Sequence, residues 1–252
     1  MSGKFIVIEG LDGSGKTTQM HMLADALRAL GRSVAETAEP TTNATGGLIR
    51  DALSGFTPRT GAEIAALFMA DRVAHNMNPV NGIQKLLADG RDVISDRYYY
   101  SSLAYQGTVT DPEWVYHINI DCPEIRKPDL CIFLDLSDEE CLRRMEQGRS
   151  YREIYENENS LLAIRKRYHE IFRRLEGRDR ICAVDAARTP EEVARDILAA
   201  VKAVLDLRAH EILPFRGVSV NFSLTTPHAM WYDTRAVWRS TQEAEGAPLL
   251  RE

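Results

Sequence analysis

The sequence predicts an α/β fold: a five-stranded parallel sheet with helices on both faces, followed by a C-terminal extension. Three observations carry this. An apolar strand, a glycine-rich turn and an amphipathic helix stand in immediate succession at the start of the chain. Apolar, β-branched runs then alternate with stretches of helical periodicity until five such units have passed, the pattern of a parallel sheet covered by helices. Finally, 252 residues with 44% hydrophobic content suit one such domain plus an appendage.

The first strand is Lys4-Phe5-Ile6-Val7-Ile8-Glu9, and Gly10-Leu11-Asp12-Gly13-Ser14-Gly15-Lys16-Thr17 follows it. From Thr18 to Leu30 the apolar residues Met22, Leu23, Ala26, Leu27 and Leu30 share one helical stripe. Strand, glycine-rich turn and helix form the setting of a phosphate-binding loop. Glycines let the backbone curl so that successive N–H groups point at phosphate oxygens, and the helix N-terminus adds its positive end. Gly10, Leu11, Asp12, Gly13, Ser14, Gly15, Lys16, Thr17 and Thr18 are therefore the expected nucleotide-phosphate residues, with Lys16 on the outer phosphates and the Thr17 hydroxyl on Mg²⁺.

Gly31 stops this helix, and residues 33–38 read as a second strand. A Pro40-containing loop leads to a short helix over Leu48 to Leu53. Thr60, with Glu63 three residues on, predicts a capping box for a longer helix bearing Ile64, Leu67, Phe68 and Val73. A helix over 80–88 precedes the third strand, Asp92 to Asp96. Helix Glu113 to Ile120, strand Leu130 to Asp135 and a Ser137-capped helix to Glu146 come next. The arginine-bearing segment Arg149 to Tyr155 separates this from a long charged helix over 156–176. Strand Arg180 to Asp185 and a Thr189-capped helix to Leu205 complete the pattern. The domain is expected to span residues 1–206, with a lid at about 148–156, and 207–252 form the extension. There, alternating Val218, Val220, Phe222 and Leu224 suggest an extra strand or hairpin, Met230, Trp231 and Trp238 offer apolar surface, and the last ten or so residues read as disordered.

A net charge of −6 argues against bulk nucleic-acid affinity, and no apolar run is long enough to span a membrane. The short stretch before the first strand predicts no signal peptide. Cys122, Cys131, Cys141 and Cys182 lack Cys-x-x-Cys spacing and read as buried thiols of a cytoplasmic protein. Two aspartates, Asp96 and Asp135, end apolar strands where a metal-assisting carboxylate would stand. Asp96 is preferred because a polar, tyrosine-rich segment follows it, whereas Asp135 leads into an ordinary helix cap.

Residues 5–19 (FIVIEGLDGSGKTTQ), 67–72 (LFMADR), 95–107 (SDRYYYSSLAYQG) and 128–136 (PDLCIFLDL) together resemble the thymidylate kinases over about residues 3–205. The resemblance implies ATP-dependent, Mg²⁺-assisted phosphorylation of dTMP to dTDP, and a homodimer. It implies that Phe68 stacks on thymine, Arg72 bonds a base carbonyl, and Ser102 and Gln106 read the base. Tyr105 would crowd the sugar 2′ position, while Arg97 and Arg50 would hold the acceptor phosphate. Asp12 and Glu39 join the acceptor set, and Asp12, Lys16 and Arg97 the catalytic one. Positive charge at the transferred phosphoryl group would come from Arg152 or Arg149, resembling a bacterial-type lid, since Leu11-Asp12-Gly13-Ser14 carries no base. Arg152 is preferred for its spacing to Tyr168. One departure stands out: Ala38-Glu39-Pro40-Thr41-Thr42 replaces the family's frequent Arg-Glu-Pro-Gly-Gly. It leaves open a kinase for dUMP or a 5-substituted dUMP, and a nucleotide-dependent switch is the non-enzymatic alternative.

Overall fold

The computed structural model describes residues 2–148, 158–205 and 229–231. Strands β1 (Phe5–Gly10), β2 (Val34–Ala38), β3 (Asp92–Asp96), β4 (Leu130–Asp135) and β5 (Ile181–Asp185) form one parallel sheet in the order β2-β3-β1-β4-β5. All residues of β1 and β3 are buried, so helices must cover both faces of the sheet. They are α1 (Lys16–Ala29), α2 (Ala44–Leu53), α3 (Gly61–Met77), α4 (Ile83–Ala88), α5 (Tyr99–Tyr105), α6 (Pro112–Ile120), α7 (Asp138–Gly148), α8 (Glu158–Arg174) and α9 (Pro190–Leu205). Helix α1 packs against α9, and α5 against α8. The chain leaves β1 towards β2 on one side and leaves β3 towards β4 on the other. That reversal opens a crevice beyond the carboxyl ends of β1 and β3, where ligands of such sheets bind.

The predicted caps form. The Thr60 hydroxyl accepts the Glu63 N–H at 3.2 Å, and Glu63 Oε2 accepts the Thr60 N–H at 2.8 Å. Replacing Thr60 with alanine should lower the unfolding free energy by about 1 kcal/mol in urea titrations, the usual worth of such a cap. Ser137 receives the Glu140 N–H, and Thr189 and Glu192 form a second reciprocal pair.

Several boundaries depart from the sequence reading. Helix α4 starts at Ile83 rather than at Val80, because Asn78 Oδ1 takes the N–H groups of Val80 and Asn81 into a turn. Helix α2 starts at Ala44 rather than at Leu48, taking in Gly46 and Gly47. At Gly46 a Cβ would stand 1.9 Å from the Thr41 carbonyl oxygen, so glycine there serves close packing rather than termination. Helix α8 is described from Glu158 and ends at Arg174; Gly177, at φ +77°, turns the chain towards β5. A strand of the extension lies outside the alternating stretch that suggested one: β6 (Ala229–Trp231) pairs antiparallel with β5 and covers that edge. The alternating stretch 218–224, Trp238 and the last ten residues lie outside the described residues.

Candidate active site

The phosphate-loop sequence folds as its glycines require. Gly10, Gly13 and Gly15 all have positive φ, and a Cβ on Gly10 would meet the Ser14 hydroxyl at 2.6 Å. Lys16 opens α1, buried, with its ammonium donating to the Leu11 carbonyl at 2.8 Å and 3.9 Å from Asp12. Burial and then the Arg97 charge lower the Lys16 pKa from its ordinary value, against the pull of Asp12, Asp96 and Glu9. Next to it, the exposed Thr17 donates its hydroxyl to Asp96 Oδ2 at 2.7 Å. Among the described residues the other carboxylate oxygen of Asp96 is buried without a partner, as is the Ser14 hydroxyl. A hydroxyl beside a carboxylate with an unused oxygen is a donor set that fits a hard divalent cation. Asp135 stands elsewhere, 3.0 Å from Arg165 Nε on α8.

Beyond Asp96 the backbone turns sharply: Arg97 has φ +70°, unusual for a side-chain-bearing residue. The turn sets its guanidinium over the crevice, donating to Asp12 at 2.6 Å and Ser101 at 3.0 Å and lying 5.1 Å from the Tyr105 ring centre. Burial opposes the Arg97 charge, but Asp12, Tyr105, Tyr168 and Asp96 together offset it and the pKa stands above the ordinary value. Tyr105 donates to the second Asp12 oxygen at 3.3 Å, and burial raises its phenol pKa, keeping it a donor.

Two side-chain networks hold this arrangement. Arg72 on α3, almost wholly buried, donates to Glu39 at 2.8 Å, to Ser102 at 3.1 Å and to Asn119. Glu39 is held in turn by His75 at 3.0 Å, whose other ring nitrogen meets Thr37 at 2.7 Å. The neighbouring Asp71 accepts both the N–H and the hydroxyl of Thr41, and Arg50 donates to the Thr41 carbonyl at 2.7 Å. The second network centres on Glu9, which has no solvent exposure. It accepts the Tyr98 and Ser101 N–H groups at 2.8 and 3.2 Å, the Ser101 hydroxyl at 2.7 Å and the Tyr168 hydroxyl at 2.9 Å. Burial raises its pKa, with Arg97 and these bonds working against the rise. Glu9 thereby ties the start of α5 to β1 and α8.

A cavity of about 240 Å³ lies between the networks. Asp12, Arg97, Tyr105 and Gln106 line the side nearest the phosphate loop and α5. Glu39, Arg50, Phe68 and Arg72 line the side formed by α2, α3 and the Pro40 loop. Ser102 lies behind Arg72, as its hydrogen-bond partner, and is not on the cavity wall. Arg149 and Arg152 lie outside the described residues. Sequence reasoning passed over Glu9, Asp71, His75 and Asn119. A carboxylate inside an apolar strand or a polar residue on an apolar helix face was the signal, because a buried polar group needs partners.

The sequence model of the family described as Thymidylate kinase matches residues 8–197. A probable thymidylate kinase of Methanococcus vannielii is 43% identical over 169 residues, covering 67% of this chain and 77% of its own. The probable thymidylate kinase of Pyrococcus horikoshii is 37% identical over 219 residues, covering 84% of this chain and 99% of its own. Among solved structures, the thymidylate kinase from Candida albicans superposes with a TM-score of 0.66 at 25% identity, covering 80% of this chain and 92% of that one.

Proposed function

The chain belongs to the thymidylate kinase family, and from that premise we propose how its residues divide the phosphorylation of dTMP. The supporting observation is the cavity: an aromatic ring, a buried arginine and a phosphate-gripping arginine converge on a space that borders the phosphate loop. The donor in this reading is ATP. The loop N–H groups and Lys16 hold its phosphates, and Thr17 with Asp96 holds Mg²⁺. When bound, the ion neutralises charge on the phosphate oxygens.

Thymine stacks on Phe68. Arg72 has five N–H donors and uses four on Glu39, Asn119 and Ser102, leaving one at Nη1 for a base carbonyl. Arg97 exchanges Asp12 for the acceptor phosphate, with Arg50 beside it, and Tyr105 excludes a ribose 2′-hydroxyl. An acceptor phosphate oxygen then attacks the γ-phosphorus in line, and ADP departs. Arg97 and Lys16 stay fixed and meet the developing charge without reorganising.

The lid arginines complete the reading: Arg152, or Arg149, covers the transferred group. The relatives named above come from archaeal sources as well as a yeast, so the bacterial-type lid rests on this chain's own residues. Replacing Arg152 with alanine should lower kcat about a hundredfold while changing the KM for dTMP little. Equal, small effects would reject the lid role. Replacing Asp96 with alanine should raise the Mg²⁺ concentration for half-maximal rate by about tenfold to a hundredfold, read from magnesium titrations of the turnover rate.

In this reading the catalytic domain spans residues 1–206, and 207–252 are an extension whose strand β6 adds to the edge of the domain's sheet. The reading also takes in a homodimer, checked by sedimentation velocity, and a cytoplasmic location, checked by cell fractionation. Among the described residues no helix is long and apolar enough to cross a membrane. A coupled assay of ADP release, offering dTMP, dUMP, UMP, dCMP and thymidine in turn, tests the assignment. Turnover with dTMP well above the others is expected. Preference for dUMP would reassign the base pocket, and acceptor-independent hydrolysis would favour the switch.

A further inference from the structure

The opposite end of the sheet carries a second concavity, an open basin of about 1070 Å³. Lys4, Asp129 and Arg180 lie just before β1, β4 and β5 and help to line it, so it sits at the amino ends of the strands. The phosphate loop follows the carboxyl end of β1, about 20 Å away across a six-residue strand. The basin therefore belongs to neither nucleotide site.

Its charge runs against that of the chain. Five cations, Lys4, Arg126, Lys127, Arg178 and Arg180, line it against two carboxylates, an excess of three in a protein of net charge −6. Both carboxylates are already committed. Asp129 accepts the Phe5 N–H at 2.9 Å and lies 3.5 Å from both Lys4 and Arg126. The Asp179 side chain is buried and serves Arg178 and the hydroxyls of Tyr99 and Tyr100. That leaves two positive charges without a carboxylate. Lys127 donates to the Arg178 carbonyl at 2.9 Å, which leaves its charge unmatched. Exposed Arg180 has no side-chain acceptor among the described residues, so all five of its guanidinium N–H donors are available.

We propose that this basin binds a small oligophosphate anion, held chiefly by Lys127 and Arg180. The planar fork of Arg180 suits two phosphate oxygens, and Lys127 supplies a point charge beside it. Among the described residues no aromatic side chain lines the basin, and they offer no stacking platform for the bases of a single strand. The phosphate chain itself is the feature recognised, whether free or carried by a nucleoside. The proposal does not depend on which acceptor the kinase uses.

The test is calorimetric titration of inorganic triphosphate into the full chain at low salt, with the phosphate loop filled beforehand by Mg·ADP. One further equivalent should bind, and the K127E/R180E variant should bind it at least about tenfold more weakly. Turnover of dTMP by that variant should stay within about twofold of the unsubstituted chain, because neither residue touches the reaction. If charge reversal abolishes turnover, K127Q/R180Q replaces it, with the same loss of binding expected. Titrating dTTP separates the sources: equal affinity means that the phosphate chain alone is read, and much tighter binding means that the nucleoside is read too. Triphosphate that binds only by displacing ADP, or that binds the variant and the unsubstituted chain alike, would overturn the proposal.

Discussion

Replacing Lys16 with methionine should lower kcat about a thousandfold, the upper range for losing one preorganised charge at a developing oxyanion. The side chain is buried, and its ammonium is held against the Leu11 carbonyl 2.8 Å away, with Asp12 at 3.9 Å. Such a group needs no reorganisation when the γ-phosphoryl group moves, so its contribution is concentrated in the transition state. Methionine keeps most of the volume and the apolar contacts, so the fold should persist. The expected signature is a large fall in kcat with a much smaller rise in the KM for ATP, because the loop N–H groups still hold the other phosphates. Steady-state kinetics over both substrates checks it. A kcat within tenfold of the unsubstituted chain would remove Lys16 from the catalytic set.

Replacing Arg72 with methionine should cost about 3–5 kcal/mol of folding stability in addition to dTMP binding, because it takes the arginine charge from the buried Glu39 carboxylate, to which His75 still bonds. Arg72 and Glu39 are 1% and 2% exposed at their side chains, with Nη2 2.6 Å from Glu39. Asn119 and Ser102 lose a donor at the same time. The control is the double variant R72M/E39Q. Removing both charges should restore part of the loss, since the carboxylate deprived of its arginine and not the missing arginine itself is the main penalty. Urea unfolding of the two variants and the unsubstituted chain measures this. A loss below about 1 kcal/mol for R72M, in the range of an exposed pair, would show that the cluster is not held as a unit.

The two cases divide what was legible in the sequence from what was not. The phosphate loop was legible because its determinants are contiguous. A β-branched run stops at Gly10, and positive φ is needed at Gly13 and Gly15 within the next five residues. The capping box at Thr60 is equally local, and so is the pairing of Phe68 with Arg72 four residues apart on α3. Tyr105 and Gln106 lie on the cavity wall because the segment after β3 must leave from the carboxyl edge of the sheet. Ser102, on the same short helix, faces the other way and serves Arg72 instead.

Taken alone, the sequence determined the order of strands and helices, the parallel sheet, the phosphate loop and the identity of most cavity residues. The elements and the loop follow from periodicity, glycine conformation and caps acting over a few residues, whereas the cavity residues are those that the resemblance to the thymidylate kinases implies. Only the tertiary structure decided which polar groups meet. Glu9 takes its donors from Tyr98, Ser101 and Tyr168, Arg72 is held from Glu39 and Asn119, and Thr17 meets Asp96 across 79 positions of chain. The basic basin likewise gathers the starts of three strands that are far apart in sequence. The physical reason is the same in each case. A buried polar group must be satisfied, but the chain does not mark which distant group will satisfy it. That choice is made when the sheet closes and brings the strand ends together.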